Sequence, residues 1–265
     1  MKVIVCLKQV PDTNEVRINQ ETGTLIRDGV PSIINPDDKN ALEEALVLKD
    51  KHNAEVIVIS MGPSQAKDAL KEALSMGADN AILISDRAFG GSDTWATATI
   101  IAAAIEKVGN YDIVFCGRQA IDGDTAQVGP EIAEFLNLPQ ITYVKELKVK
   151  ENKVEVKRFT EYGDFIIESE IPVLLTAIKE LNNPRYPTIQ GILQSYAEDS
   201  DSKIQVWGVD DLDVDLSQIG LKGSPTNVAK SFVPVKSNTS EIIEASSTKE
   251  KTDILVNKLS ELNLI

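Results

Sequence analysis

The stretch Tyr111-Asp112-Ile113-Val114-Phe115-Cys116, followed by Gly117-Arg118-Gln119-Ala120-Ile121-Asp122-Gly123-Asp124-Thr125-Ala126-Gln127 and then Val128-Gly129-Pro130-Glu131-Ile132-Ala133-Glu134-Phe135, decides the fold. The apolar run 112–116 has the unbroken hydrophobicity of a strand buried on both faces of a parallel sheet. Residues 117–127 mix glycine with acids and read as a loop. Val128, Ile132, Phe135 and Leu136 then recur at helical spacing. Asp124 stands three residues before Gln127, a variant of the capping-box spacing, which predicts a helix starting near Thr125. A helix start at the end of a buried strand offers free N–H groups and a positive dipole end, and so an anion site. The chain has one histidine, His52, and two cysteines, Cys6 and Cys116. With so few catalytic side chains, a phosphate-bearing cofactor is the ligand the chemistry favours.

Outward from this unit, strands and helices alternate. Val3–Leu7, Glu55–Ser60 and Ala81–Ser85 read as strands, and Ile141–Val144 begins another. Asp37–Lys51, Ser64–Met76 and a segment from Asp93 to Gly109 read as helices. Asn35 caps the first of these with Pro36 in its opening turn. Gly77 ends the second. The fold class is therefore α/β, an open, mostly parallel, doubly wound sheet with helices on both faces. Ligands of such sheets collect beyond the carboxyl ends of the strands, where connections diverge. After Lys145 the pattern becomes that of antiparallel strands, Leu147–Lys150, Val154–Phe159 and Phe165–Glu168, before Pro172–Thr176 returns as a buried strand. Residues 1–181 form the α/β domain with its antiparallel extension. Residues 182–236 read as an arm, since Asn183-Pro184-Arg185-Tyr186-Pro187 cannot be helical. Residues 237–265 hold a polar linker, Ser237–Lys251, and a short amphipathic helix, Thr252–Leu262.

Composition narrows the function. Net charge is −14 over 265 residues, which argues against sequence-independent nucleic-acid binding. No apolar run approaches membrane-spanning length. Met1–Val5 leads straight into a strand, so a cytoplasmic protein with buried, reduced thiols is expected. Neither a zinc nor a cluster site can be assembled from this cysteine and histidine inventory. His52 reads as a solvated connector.

Several motifs in one order resemble the beta (small) subunit of electron transfer flavoproteins. They are Val5-Cys6-Leu7-Lys8-Gln9-Val10, Asn35-Pro36, Ser60-Met61-Gly62-Pro63, Ala73-Leu74-Ser75-Met76-Gly77-Ala78-Asp79, Gly117–Asp122, Leu138-Pro139-Gln140 and Asn183-Pro184-Arg185-Tyr186. The resemblance implies an adenine-nucleotide-binding α/β domain in an obligate heterodimer with an alpha subunit that carries an FAD, the C-terminal helix wrapping that subunit. Simple carriers of the family hold AMP in the beta subunit, and electron-bifurcating members hold a second FAD reduced by NADH. Asp122-Gly123-Asp124-Thr125-Ala126-Gln127 and Phe89-Gly90-Gly91-Ser92-Asp93-Thr94-Trp95-Ala96-Thr97 are similar to the bifurcating type. That type implies bifurcation or confurcation of electrons between NAD, ferredoxin or flavodoxin, and a partner flavin dehydrogenase. The alternatives are an AMP-holding carrier and a non-enzymatic adenine-nucleotide sensor.

On this resemblance the cofactor-binding residues are Cys6, Leu7, Lys8, Asn35, Ser60, Met61, Gly117, Arg118, Asp122, Gly123, Asp124, Thr125, Ala126, Gln127 and Val128. Backbone N–H groups of Thr125–Val128 would hold phosphate, the alternative being an ordinary capped helix. Asp124 caps that helix, and Asp122 bonds a ribose hydroxyl or a turn amide. Asn35 is a cap alone or a cap that also touches adenosine. Lys8 and Arg118 either stabilise an anionic reduced flavin or are surface charges or ion pairs with the alpha subunit. Gly90, Gly91, Ser92 and Thr94 either lie against NADH or form a plain connection. Trp95 reads as packing. Ile189 matches the family's apolar anchor for a dehydrogenase, with intramolecular packing of the arm as the alternative. Beyond it the mammalian-type basic run is replaced by Glu198, Asp199 and Asp201, which leaves the identity of that partner open.

Overall fold

A first strand, β1 (Lys2–Cys6), is buried on both faces. Val3 and Val5 enter one hydrophobic core, and Ile4 and Cys6 enter the other. This alternation explains why the sequence there is apolar without a break. The computed structural model describes residues 1–12, 17–18, 25–26, 31–197, 200–229 and 240–265. Glu198 and Asp199 of the acidic run, residues 230–236 of the expected arm and residues 237–239 of the expected linker lie outside the described residues.

Two short antiparallel pairs follow β1. One joins β2 (Gln9–Pro11) to β5 (Ser32–Ile34), and the other joins β3 (Arg17–Ile18) to β4 (Leu25–Ile26). Then come α1 (Pro36–His52), β6 (Glu55–Met61), α2 (Lys67–Met76), β7 (Asn80–Ile84), α3 (Thr94–Val108), β8 (Ile113–Gly117) and α4 (Val128–Phe135). The remainder is β9 (Gln140–Lys150), β10 (Lys153–Thr160), β11 (Gly163–Glu170), β12 (Val173–Ala177), α5 (Ile189–Ser195), β13 (Ile204–Trp207), α6 (Gly220–Gly223) and α7 (Thr248–Glu261). The main sheet runs β11-β10-β9-β12-β8-β1-β6-β7-β13. From β9 to β13 every neighbouring pair is parallel, and β9, β10 and β11 are antiparallel. The α/β, mostly parallel sheet with an antiparallel extension is thus the fold expected from sequence.

Helices cover both faces. Ala41, Leu42, Ala45 and Leu46 of α1 and Leu70, Ala73 and Met76 of α2 pack with Val3, Val5 and Phe115. Ile100, Ile101 and Ile105 of α3 and Ile132 of α4 pack with Ile4, Val114 and Cys116. The chain leaves β1 by way of α1 towards β6 and β7, and α3 then returns it past β1 to β8. Connections from β1 and β8 therefore depart to opposite faces, and their carboxyl ends form the topological switch point.

Three segments differ from the sequence expectation. The strand expected at Ile141–Val144 and the one at Leu147–Lys150 are a single β9 containing a bulge. Tyr143 takes φ 58° there and donates its N–H to Thr176 Oγ1 at 3.1 Å, so one strand serves both the parallel sheet and the extension. Residues 182–229, expected as an arm, pack within the compact unit Met1–Ala229. Arg185 binds Glu43 with two nitrogens at 2.9–3.0 Å and reaches Asp50 at 2.8 Å, fixing the Pro-rich stretch on α1. Ile204, Leu212 and Ile219 are buried, and β13 adds to β7 as a parallel edge strand. The second unit, Lys230–Ile265, contains α7, which begins four residues earlier than expected because Ser247 Oγ accepts the Glu250 N–H at 3.2 Å.

Candidate functional site

The site begins with two strand ends and one helix start. α1 opens with Pro36, whose fixed φ suits the first turn and whose missing N–H costs nothing there. Asp37 and Asp38 follow in that turn, where the dipole favours acids. Asp38 is buried, and its two oxygens accept the Lys8 N–H at 2.7 Å and the Gly117 N–H at 2.9 Å. It thereby joins the end of β1 to the end of β8. Burial pushes its carboxyl up to about 7, against the pull of those two N–H groups and of Asn35. Gly117 leaves the room this requires: a Cβ there would lie 2.2 Å from Asp38 Oδ1 and 2.6 Å from Asp38 N.

Asn35 sits at the cap position of α1 but makes no side-chain cap. Its amide instead donates to Gln119 O at 2.8 Å, and its Oδ1 accepts the Ile121 N–H at 3.0 Å. The expected capping role is replaced by a clamp on the loop. Arg118 Nε lies 3.3 Å from Asp37 Oδ2, an ion pair without hydrogen-bond alignment. Lys8 Nζ pairs with Asp122 Oδ1 at 2.7 Å; Asp122 is thus held by a cation, and the half-exposed lysine limits the pair to about 1 kcal/mol or less.

Beyond the clamp, the Gly123 and Asp124 amides both donate to Ala120 O, at 3.2 and 2.8 Å, closing a turn. Asp124 (φ 50°) and Ala126 (φ 53°) are left-handed, so the helix cannot start at Thr125; α4 begins at Val128, and Gln127 at its cap position makes no side-chain cap. Asp124 does not cap it, because its carboxylate accepts Gln119 Nε2 at 2.8 Å. An alanine held left-handed costs about 1 kcal/mol, a strain that clusters at ligand sites. Among the described residues, the amides of Thr125, Ala126, Gln127, Val128 and Gly129 have no protein acceptor. A Cβ on Gly123 would meet nothing within 4 Å. Unpaired successive amides, a helix start and open space over the glycine fit a phosphate group.

Around this cradle, Leu7 is buried and donates its N–H to Ile59 O at 2.9 Å, closing β1 on β6. Ser60 and Met61 end β6, and the buried Ser60 Oγ has no partner among the described residues. Cys6 and Cys116 are free and buried beneath the start of α4, where a Cβ on Gly129 would sit 3.5 Å from Cys116 Cβ. Hydrogen bonding to Cys6 and burial push the Cys116 thiol well above its ordinary value, which keeps it unreactive.

The expected NADH residues follow β7 and open α3, which packs on α4. Gly90 O accepts the Leu221 N–H at 3.1 Å, and Gly91 (φ 78°) faces Leu221, whose Cβ would be 3.0 Å from an added Cβ. Ser92 Oγ accepts the Gly220 N–H at 3.1 Å, so the chain's own segment at α6 rests on this loop. Thr94 Oγ1 bonds Glu131 Oε1 at 3.1 Å, tying α3 to α4. Trp95 packs edge-on against Phe135 with centroids 4.8 Å apart. Ile189 is 81% exposed at the first position of α5, which lies on α2 away from the cradle, beside exposed Tyr186, Leu193 and Tyr196.

Asp38 is the central side chain that sequence reasoning missed. Its signal was present: a second acid after Asn35-Pro36, matched by a glycine at the end of β8.

The sheet order and its switch point define a protein of the doubly wound α/β class. A family model described as the electron transfer flavoprotein domain matches residues 22–212, and the chain belongs to that family. It is 57% identical to the electron transfer flavoprotein subunit beta of Clostridium acetobutylicum over 265 residues, and 56% identical to that of Thermoanaerobacterium thermosaccharolyticum over 265 residues. It is 51% identical over 266 residues to the caffeyl-CoA reductase-Etf complex subunit CarD of Acetobacterium woodii, and in all three cases both chains are covered in full. No helix among the described residues is long and apolar enough to cross a membrane.

Proposed function

We propose that this chain is the beta subunit of a heterodimeric electron transfer flavoprotein and binds FAD in the cradle of residues 117–128, within an electron-bifurcating or confurcating system. The observation that carries this is the row of unpaired amides from Thr125 to Val128 beside the open Gly123 position. Such amides hold a diphosphate without charge of their own, and the α4 dipole adds to their pull. Asp122 and Asp124, which would repel a phosphate if free, are held by Lys8 and Gln119. Asn35 keeps residues 119–121 against α1, so that the amides are in place before a ligand arrives. Buried Leu7 and the strand ends at Cys6, Ser60 and Met61 wall the switch-point crevice. Arg118 presents a guanidinium whose terminal nitrogens have no protein acceptor among the described residues, available to an anionic ligand edge.

FAD, when bound, supplies hydride acceptance and one-electron transfer, chemistry for which the chain needs no acid or nucleophile of its own. NAD is the hydride partner on this reading. Contact at Gly90 and Gly91 would require displacement of Leu221, while Ser92 and Thr94 flank the start of α3. The alpha subunit, a flavin dehydrogenase docking at Ile189, and ferredoxin or flavodoxin complete the proposed assembly, in the cytoplasm. The relative named as a subunit of the caffeyl-CoA reductase-Etf complex supports a role within such a complex.

Cofactor content of the purified heterodimer tests the reading. Two FAD per heterodimer, with bleaching by NADH, supports it. One FAD with one AMP makes the chain an AMP-holding carrier subunit, and a colourless chain that binds ATP alone makes it a sensor. Gly123→Val places methyl groups in open space, so the protein should fold and lose this subunit's nucleotide while the alpha-subunit FAD remains. Unchanged stoichiometry would refute the placement of the ligand.

A further inference from the structure

The loop that carries the proposed cradle has little packing of its own. Ile121 and Gly123 are exposed, and the Gly123 position borders empty space. What fixes it is the first turn of α1. Asn35 holds the carbonyl of Gln119 and the amide of Ile121, and Asp38 holds the amides of Gly117 and Lys8. Asp37, between them, faces the Arg118 guanidinium. Lys8 is doubly constrained, its backbone by Asp38 and its ammonium by Asp122 across the loop. The groups facing Asp38 are thus Lys8 from the end of β1, Gly117 and Cys116 from β8, and Asn35 and Asp37 from its own turn. Gly117 excludes every side chain but hydrogen from the place where the carboxylate sits.

We propose that Asn35 and Asp38 are positioning residues for ligand binding: from α1 they set the spacing of Lys8, Arg118 and the loop 117–122, and so the affinity of the cradle for a phosphate-bearing adenine nucleotide. Neither side chain needs to touch the ligand. Each holds backbone groups that must otherwise be ordered at the moment of binding, a cost the clamp removes in advance. This rests on the reading that the cradle binds such a nucleotide, and the test separates the two.

The assembled heterodimer, stripped of nucleotide, is titrated with FAD and separately with AMP. Asp38→Asn keeps one acceptor but turns an NH2 group towards the other amide, and Asn35→Ala removes the loop clamp outright. Glu43→Gln serves as the control: it weakens the Arg185 pair on the same helix, more than one turn from the clamp, without touching the loop. Affinity of Asp38→Asn and Asn35→Ala for the nucleotide that wild type binds should fall at least tenfold, mainly through faster release. Glu43→Gln should stay within twofold, and a merely structural role would instead make the three variants lose affinity in proportion to their loss of thermal stability. If Asp38→Asn does not fold, Asn35→Ala decides alone. Wild-type affinity in both clamp variants overturns the proposal. Failure of wild type to take up either nucleotide in this subunit overturns the underlying reading instead.

Discussion

Asp38 gives the most demanding test of the physical account. It is buried, and its neighbours pull in opposite senses: loss of hydration favours the neutral acid, and the Lys8 and Gly117 amides with Asn35 favour the carboxylate. Burial wins, carrying the group from an ordinary value of 3.8 to about 7. Because the folded value lies above the unfolded one, the stability linked to this group is full below pH 3.8 and is lost as pH rises through 7. At about 1.36 kcal/mol per pH unit that gap corresponds to roughly 4 kcal/mol, of which roughly 2 kcal/mol disappears between pH 5 and 7. The assay is urea denaturation of the isolated chain at pH 5, 6, 7 and 8, for wild type and Asp38→Asn. Other groups titrate equally in both, so the difference between them isolates Asp38. Wild-type stability minus that of the variant should fall by about 2 kcal/mol from pH 5 to 7 and level off above 8. Parallel profiles, constant to within about 0.5 kcal/mol, would mean that the amide donors outweigh burial and that Asp38 stays ionised throughout.

Three further outcomes follow from particular contacts. Gly117→Ala should destabilise by about 3 kcal/mol, since a Cβ at 2.2 Å from Asp38 Oδ1 and 2.6 Å from its amide forces α1 off β8; thermal unfolding checks this. Arg185→Ala strands the buried Glu43 carboxylate and should cost about 2 kcal/mol by chemical denaturation, with Arg185→Lys recovering only part because one ammonium cannot replace the fork. Ala126→Gly relieves a left-handed alanine and should raise stability by up to about 1 kcal/mol; equal or lower stability would show that the loop's conformation costs nothing at that residue.

The order of strands and helices was legible because burial on both faces writes itself as unbroken apolar runs, as in Val3–Cys6 and Ile113–Cys116. So was the glycine- and acid-rich loop between β8 and α4, since such a loop could only follow a buried strand. Its internal wiring was not. Asn35 next to Pro36 carries every mark of a helix cap, and only the approach of β8 shows its amide spent on Gln119 and Ile121. The acid spacing at Asp124 suggested a capping box, but two left-handed residues intervene before α4, and φ at an alanine leaves no trace in sequence. The Pro-rich stretch after Asn182 concealed a return to the sheet because β13 is a four-residue edge strand with buried Ile204 but exposed Gln205 and Val206. Ile189 was placed by resemblance alone, and it stands exposed at the start of α5.

The slot occupied by β12 bears on how the protein is made. β8 and β9 are consecutive in the chain yet never touch as partners, because β12 arrives between them only after the β10–β11 hairpin has been completed. On a ribosome, the flank of β8 that Val114 and Phe115 later pair with Leu174 and Leu175 therefore stays raw until residue 177 has emerged, with nothing to pair against. A chain halted before that point would carry an open, sticky margin of the kind that recruits other nascent chains. Insertion of this late strand is a long-range step, and such steps set the pace of assembly in parallel sheets.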